Sequence, residues 1–365
     1  MTPPRSLVFV HPSDEVYGAD RMLLELVAAV PDGVRVEVWL PNDLAHPALP
    51  LCELLRARGI ASRHLDLPIM RRAHRTPGGL ALLARRAAGL VRTIRAAAPD
   101  VVYCTTSAAA LAAPLARIAR VPTVIAHVQE ILAGSDRAVI GTALRACHRV
   151  LAISEPVRTA LPPAAARRAV VVANATPDPG PYRPVRRHEG PLRFGVASRW
   201  NGWKGHATLL AAWDRLDDGV LTVLGGPPPS GEVTDVPALV ARLRRPGSVE
   251  VVGELADPWT RLVDCDVVIM PSDRPEPFGL VAIEAFARGR PVVASAAGGL
   301  LEIVEDGRTG WLFPPGDVAR LAEVLGALTA DAVVAAGARA RQRYEQRYTA
   351  ERYAGQWRAA AGFAP

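Results

Sequence analysis

The chain is nearly devoid of lysine: its 43 basic residues are 42 arginines and one lysine, Lys204. Aromatic residues are sparse, at 5% of 365. No stacking motif accompanies the positive charge, so nucleic acid is not an expected partner. The four cysteines, Cys52, Cys104, Cys147 and Cys265, lie far apart with no Cys-x-x-Cys spacing. That excludes a disulfide framework, carries no zinc-site spacing, and sets a reducing, cytosolic compartment as the expectation. No apolar run approaches the ~18 residues of a membrane span. The opening stretch MTPPRSLVFVHPSD has too short an apolar segment for a signal peptide and no small-residue cleavage site. No repeat recurs at a fixed period.

What is present points to two domains of ordinary size. Half the residues are hydrophobic, enough to build a core. Glycine and proline together make 63 residues, about 17% against a usual ~12%, and they punctuate short apolar runs. The charge is uneven. Residues 1–185 carry 22 arginines against 14 acidic residues, a formal +8, whereas residues 186–365 come to −1. The front half is therefore expected to meet an anionic acceptor or surface.

Short β-branched runs alternate with Ala/Leu-rich stretches, the βαβ pattern of a doubly wound parallel sheet. Strands are predicted at 7–10, 34–40, 101–104, 122–126, 150–153 and 170–172. In the back half they are predicted at 192–196, 220–224, 249–252, 267–270 and 291–294. The segment 175–191 holds Pro177, Pro179, Pro181, Pro184 and Pro191 and reads as a linker. The expected fold class is α/β, with two Rossmann-like doubly wound domains facing a cleft. Ligands of such sheets bind beyond the carboxyl ends of the strands.

Lys204 lies in Phe194-Gly-Val-Ala-Ser-Arg199-Trp-Asn-Gly-Trp-Lys204-Gly205, read as a strand, a loop with two cations, and a helix from about His206. A glycine-preceded helix start is an anion site. Arg199 offers a planar fork and Lys204 a point charge on a flexible stem. Each charge-assisted bond to a diphosphate contributes roughly 1.5–3 kcal/mol. The plainer reading is a surface lysine. Trp200 and Trp203 either stack on a ligand or pack the loop.

A second constellation is Pro271-Ser-Asp-Arg-Pro-Glu276-Pro-Phe278-Gly279-Leu280-Val-Ala-Ile-Glu284. Glu276 falls in a loop, Gly279 opens a helix, and Glu284 falls on its second turn. The free N–H groups of Phe278, Gly279 and Leu280 face whatever lies between the carboxylates. A nucleotide sugar fits this layout. Two solvated carboxylates, or a glycosidase acid/base pair, are the alternatives.

These motifs, with Gly298-Gly-Leu-Leu-Glu302-Ile and Gly307-Arg-Thr-Gly310, match in order and spacing over about residues 192–318. Here the back half resembles the donor domain of glycosyltransferase family 4, the retaining GT-B glycosyltransferases. The front half resembles it more loosely. Tyr17-Gly18-Ala19-Asp20-Arg21 stands where the family has Gly-Gly-Ala-Glu. Ala152-Ile-Ser154-Glu resembles the turn before the linker, and Ala175-Thr176 after Asn174 replaces the usual continuation.

The resemblance implies GT-B architecture and transfer from a UDP- or GDP-linked sugar to an acceptor hydroxyl with retained configuration. The setting would be polysaccharide, glycolipid or natural-product synthesis. Arg199 and Lys204 would stabilise the departing diphosphate. Glu276 would hold sugar hydroxyls and Glu284 the ribose, with Gly18, Ala19 and Gly253 also in the donor site. His127 would stand near the anomeric carbon; a histidine packed inside the fold is the other reading. His11 has a similar position. Glu130 is either an acceptor contact or a helix-start carboxylate.

No cofactor and no metal are expected. Asp264-Cys-Asp266 has the spelling of a metal pair but precedes its strand. The implied domains are 1–182 for the acceptor, 183–347 for the donor, and 348–365 returning to the front domain. An epimerase or phosphorylase on the same fold is a competing reading, as is a non-catalytic sugar-nucleotide scaffold. A Schiff-base phosphorylase would have Lys204 alone to use.

The stretch 78–98 places Leu80, Leu83, Ala87, Leu90, Val91 and Ile94 on one helical face. Arg85, Arg86, Arg92 and Arg95 lie elsewhere on the helix, and Arg71, Arg72 and Arg75 lie upstream. It is either a sheet-covering helix or a basic surface for anionic lipid or a lipid-linked acceptor. The expected location is cytoplasmic, with peripheral contact to the cytoplasmic face of the membrane.

Overall fold

The computed structural model describes residues 4–43, 50–71, 76–228 and 231–363. It divides into two compact units, 1–175 with 350–365, and 176–349. The front unit carries one parallel sheet of β1 (Ser6–Val10), β2 (Arg35–Pro41), β3 (Ala61–Leu65), β4 (Val101–Cys104), β5 (Thr123–Val128), β6 (Arg149–Ala152) and β7 (Ala169–Val171). Their spatial order is β3-β2-β1-β4-β5-β6-β7. The back sheet comprises β8 (Arg193–Ala197), β9 (Val220–Leu224), β10 (Val249–Gly253), β11 (Val267–Met270), β12 (Val292–Ser295) and β13 (Gly310–Phe313). It is ordered β10-β9-β8-β11-β12-β13 and is also parallel. Each unit is a Rossmann-like sheet, and the architecture is GT-B.

The central strands are buried on both faces, as their unbroken apolar runs require: β1, β4, β11 and β12 are buried throughout. In both sheets the order reverses once, between β1 and β4 and between β8 and β11. Loops leaving the carboxyl ends there diverge and leave room for a ligand.

The unit boundary falls at residue 175, ahead of the expected 182, because the proline-rich segment packs on the back unit. Arg341 Nη2 donates to Asp178 Oδ2 at 2.6 Å, and Arg290 Nη1 to the Arg183 carbonyl at 2.6 Å. The Tyr182 ring occupies the space a Cβ on Gly289 would need. Asp266 is tied down at the start of β11, its Oδ2 accepting from Arg193 N–H and His188 Nε2. In the front unit the helix Ala350–Ala361 buries Tyr353 and Trp357. Trp357 Nε1 donates to the Tyr103 hydroxyl at 2.9 Å.

The helix Pro77–Ala97 buries only Leu90 and Ile94, and Leu80 is 62% exposed. The apolar stripe is thus covered only toward its C-terminal end by the described residues. Arg71 and Arg86 are held within the unit by one shared carboxylate, Asp43, at 2.8 and 2.6 Å. Arg72 and Arg75 lie outside the described residues. Among the described residues, no single helix is long and apolar enough to cross a membrane.

Candidate functional site

Both loops singled out by sequence leave the reversal point of the back sheet. After β8 the chain makes one 3₁₀ turn, Gly202–Lys204, then the helix His206–Trp213. Gly205 joins them at φ 74°, and a Cβ there would come within 1.8 Å of the Pro271 carbonyl oxygen. After β11 the Pro271–Gly279 loop is bound to the first. Asp273 N–H donates to the Trp203 carbonyl at 2.9 Å, and Thr208 Oγ1 donates to Asp273 Oδ1 at 2.8 Å.

The junction brings together two residues 72 positions apart. Lys204 Nζ donates to Glu276 Oε1 at 2.7 Å, and Ser272 Oγ donates to the same oxygen at 2.5 Å. Glu276 is only 5% exposed, and a buried carboxylate is tolerable only when partnered. The Lys204 ammonium also stands 4.2 Å from the centroid of the Trp203 ring, and Trp200 is buried. Lys204 is therefore no ordinary surface lysine, and Trp200 packs into the core beneath the loop. Arg199 is half-buried at the start of the loop.

The Gly298-Gly299 pair explains itself by close approach. A Cβ at Gly298 would fall 2.1 Å from the Glu276 carbonyl oxygen, and one at Gly299 would fall 2.5 Å from that of Phe278. Gly299 N–H donates to the Glu276 carbonyl at 2.8 Å. The pair thus forms a floor under the Glu276–Phe278 backbone. Gly279, at φ 117°, caps the helix Leu280–Ala287, whose first N–H groups lack intrahelical partners. Glu284 is buried on that helix, and its Oε2 accepts from Trp259 Nε1 at 2.9 Å. Gly253 ends β10, and its carbonyl accepts the Gly225 N–H at 2.8 Å.

In the front unit Gly18 and Ala19 open the helix Gly18–Ala29. Asp20 Oδ2 accepts from Tyr17 N–H at 2.9 Å, which closes the helix start. Its Oδ1 accepts from His11 Nε2 at 2.8 Å and from Ser13 Oγ at 2.6 Å. Burial alone would push this carboxyl up, but those bonds hold it below the usual range. His11 Nδ1 lies 2.7 Å from Thr105 Oγ1, so the loops after β1 and β4 are joined at the reversal point. Thr105 and Trp259 were not legible beforehand, since each acts through a distant partner; Ser272 bonds Glu276 four residues on in the same loop.

The strand expected to end at Ala126 runs on past His127. β5 continues through Val128, and His127 pairs with Leu151 of β6 inside the sheet. It is fully buried. Its Nδ1 accepts from the Tyr103 hydroxyl at 3.0 Å, and its Nε2 has no partner among the described residues. Glu130 starts no helix, because the next begins at Gly134. Its Oε2 accepts from the N–H groups of Ser107 and Gln129 and from the Ser107 hydroxyl, fastening the turn after β4.

Burial pushes the imidazole of His127 down to about 3. Burial, with Lys204 nearby, pushes that of His206 down to about 4. A histidine whose folded value is depressed stabilises fully above its unfolded value near 6.5 and loses that contribution as pH falls. Unfolding free energy is expected to drop between pH 6.5 and 4, by up to about 1.4 kcal/mol per pH unit for each histidine. Urea denaturation at several pH values measures the slope. His206→Gln is expected to flatten it, and an unaltered slope would contradict the neutral, buried assignment.

Residues 191–331 match the family model Glycosyl transferases group 1. Relatives include D-inositol 3-phosphate glycosyltransferase of Xylanimonas cellulosilytica, 44% identical over 153 residues, covering 38% of this chain and 35% of the relative. Phosphatidyl-myo-inositol mannosyltransferase of Mycobacterium leprae is 36% identical over 151 residues, 39% of each chain. The chain thus spans well under half the length of these curated relatives. Among solved structures, Anabaena HepE in complex with UDP-glucose superposes with TM-score 0.81 at 24% identity, over 98% of this chain and 100% of that one.

Proposed function

We propose that this chain, whose residues 191–331 match the Glycosyl transferases group 1 family model, moves a sugar from a nucleotide-diphospho-sugar to an acceptor hydroxyl with retained configuration. The observation that carries the reading is the Lys204–Glu276 pair at the reversal point of the back sheet. It stands where open α/β sheets take ligands. Lys204, Arg199 and the start of the Leu280–Ala287 helix supply positive charge for a departing diphosphate. Glu276 positions the ammonium and offers its remaining capacity to sugar hydroxyls; Glu284 serves the ribose. The relatives' names, and the +8 charge of residues 1–185, favour an anionic or lipid-linked acceptor. HepE, with UDP-glucose, favours a uridine donor.

The direct test is a thermal-shift series with UDP, GDP and their sugars, followed by UDP release from UDP-glucose with inositol phosphates and phosphatidylinositol as acceptors. Stabilisation by one nucleotide together with acceptor-dependent release is the expected result. Binding with no release on any acceptor would leave a sugar-nucleotide scaffold. Because two cations and a helix start supply the charge, turnover is expected to survive excess EDTA. Loss of activity that magnesium or manganese restores would overturn that account of the leaving group.

A further inference from the structure

Asp14, Cys52 and His64 come from three separate elements of the front unit. Asp14 follows β1, Cys52 is on the first turn of the helix Leu51–Ala57, and His64 is on β3. One ligand-type atom from each lies within 4.8 Å of the other two. Asp14 is 2% exposed and holds the cluster at its centre. Its Oδ1 accepts the Cys52 N–H at 2.9 Å, and its Oδ2 lies 2.8 Å from His64 Nε2.

The arrangement does not suit a nucleophilic triad. There an imidazole stands between thiol and carboxylate, whereas here the carboxylate stands between the other two. A metal suits it better. Sulfur, imidazole nitrogen and carboxylate oxygen are the donor set of zinc. Tetrahedral bonds of 2.0–2.3 Å place such donors about 3.3–3.8 Å apart, within a small adjustment of the spacing seen. The His64 side chain is 42% exposed, which leaves a wet side for a fourth, exchangeable ligand.

We propose that Asp14, Cys52 and His64 form a three-ligand site for Zn²⁺ or a similar borderline-soft divalent cation, with water in the fourth position. A bound ion would tie the loop that carries Ser13 and leads to Gly18 to β3 and to the start of the Leu51–Ala57 helix. This reading is independent of the proposed transferase activity.

The test is a Co²⁺ titration of the full-length, metal-free protein, followed by displacement with Zn²⁺. One equivalent is expected to give tetrahedral visible bands and a thiolate-to-cobalt charge-transfer band, both lost on adding Zn²⁺. Cys104, Cys147 and Cys265 are buried and do not compete. Cys52→Ser is expected to abolish the charge-transfer band. His64→Ala, at a largely exposed side chain, is expected to weaken Zn²⁺ binding beyond the 10–100-fold typical of losing an outer-shell partner. Zn²⁺ is expected to raise the melting temperature of the natural chain and not of these variants. No charge-transfer band with the natural chain, or one that survives Cys52→Ser, would overturn the site.

Discussion

Lys204→Ala is expected to lower turnover by roughly 10²–10³, the scale for removing one preorganised donor from developing charge. It is also expected to lower stability. Lys204 is the cationic partner of Glu276, whose side chain is almost wholly buried. Removing one member of such a pair strands the other charge. Lys204 keeps some contact with water, so a loss of about 1–3 kcal/mol is expected, between an unsatisfied polar group and a fully buried ion. From sequence alone an exposed loop cation would be expected to leave folding untouched; the ion pair reverses that expectation.

Lys204→Arg is expected to be impaired as well, because a guanidinium on a longer stem cannot place its charge at the same point over Trp203 and Glu276. Pairing Lys204→Ala with Glu276→Gln separates the two effects. The double variant is expected to recover much of the lost stability and none of the lost turnover. Denaturation and initial-rate measurements on the four proteins decide it. Full activity in Lys204→Ala would remove this loop from the reaction.

Gly205→Ala is expected to have the larger effect on folding, above about 3 kcal/mol, and to lower turnover by at least about 10²-fold. Its φ of 74° is strained for alanine, and its Cβ would stand 1.8 Å from a backbone oxygen of Pro271. That contact cannot be relieved by turning a side chain. The β8 and β11 loops would have to part, and a shift of about 1 Å in positioned groups costs on the order of 10²-fold in rate. Gly307→Ala is the control. Its φ is 68° with nothing within 4 Å of the new Cβ, so only left-handed strain of about 1–2 kcal/mol applies. Equal melting temperatures for the two variants would refute the welded-loop account.

The sheets were legible because most of their strands are apolar runs buried on both faces, and burial writes itself into composition. The two strands without an advance signal show the limit. β3 reads Ala-Ser-Arg-His-Leu at a sheet edge, with no residue fully buried. β13 also lies at an edge and begins at Gly310, inside a turn motif. β3 buries little and so imprints little on its sequence, whereas β13 is an apolar run hidden by its start inside a turn motif.

The order and spacing of Arg199, Lys204, Glu276, Gly298 and Gly310 were likewise readable along the chain. Which atoms those residues touch was not. Lys204 meets Glu276 across 72 residues, His64 meets Asp14 across 50, and Trp357 meets Tyr103 across 254. His127 was moved from a strand end to a strand interior by two further residues of β5. Periodicity and spacing are set by the local geometry of helices and strands and can be read from the chain alone. The partner of a buried charge is set by which loops leave neighbouring strands, and only the folded sheet order decides that.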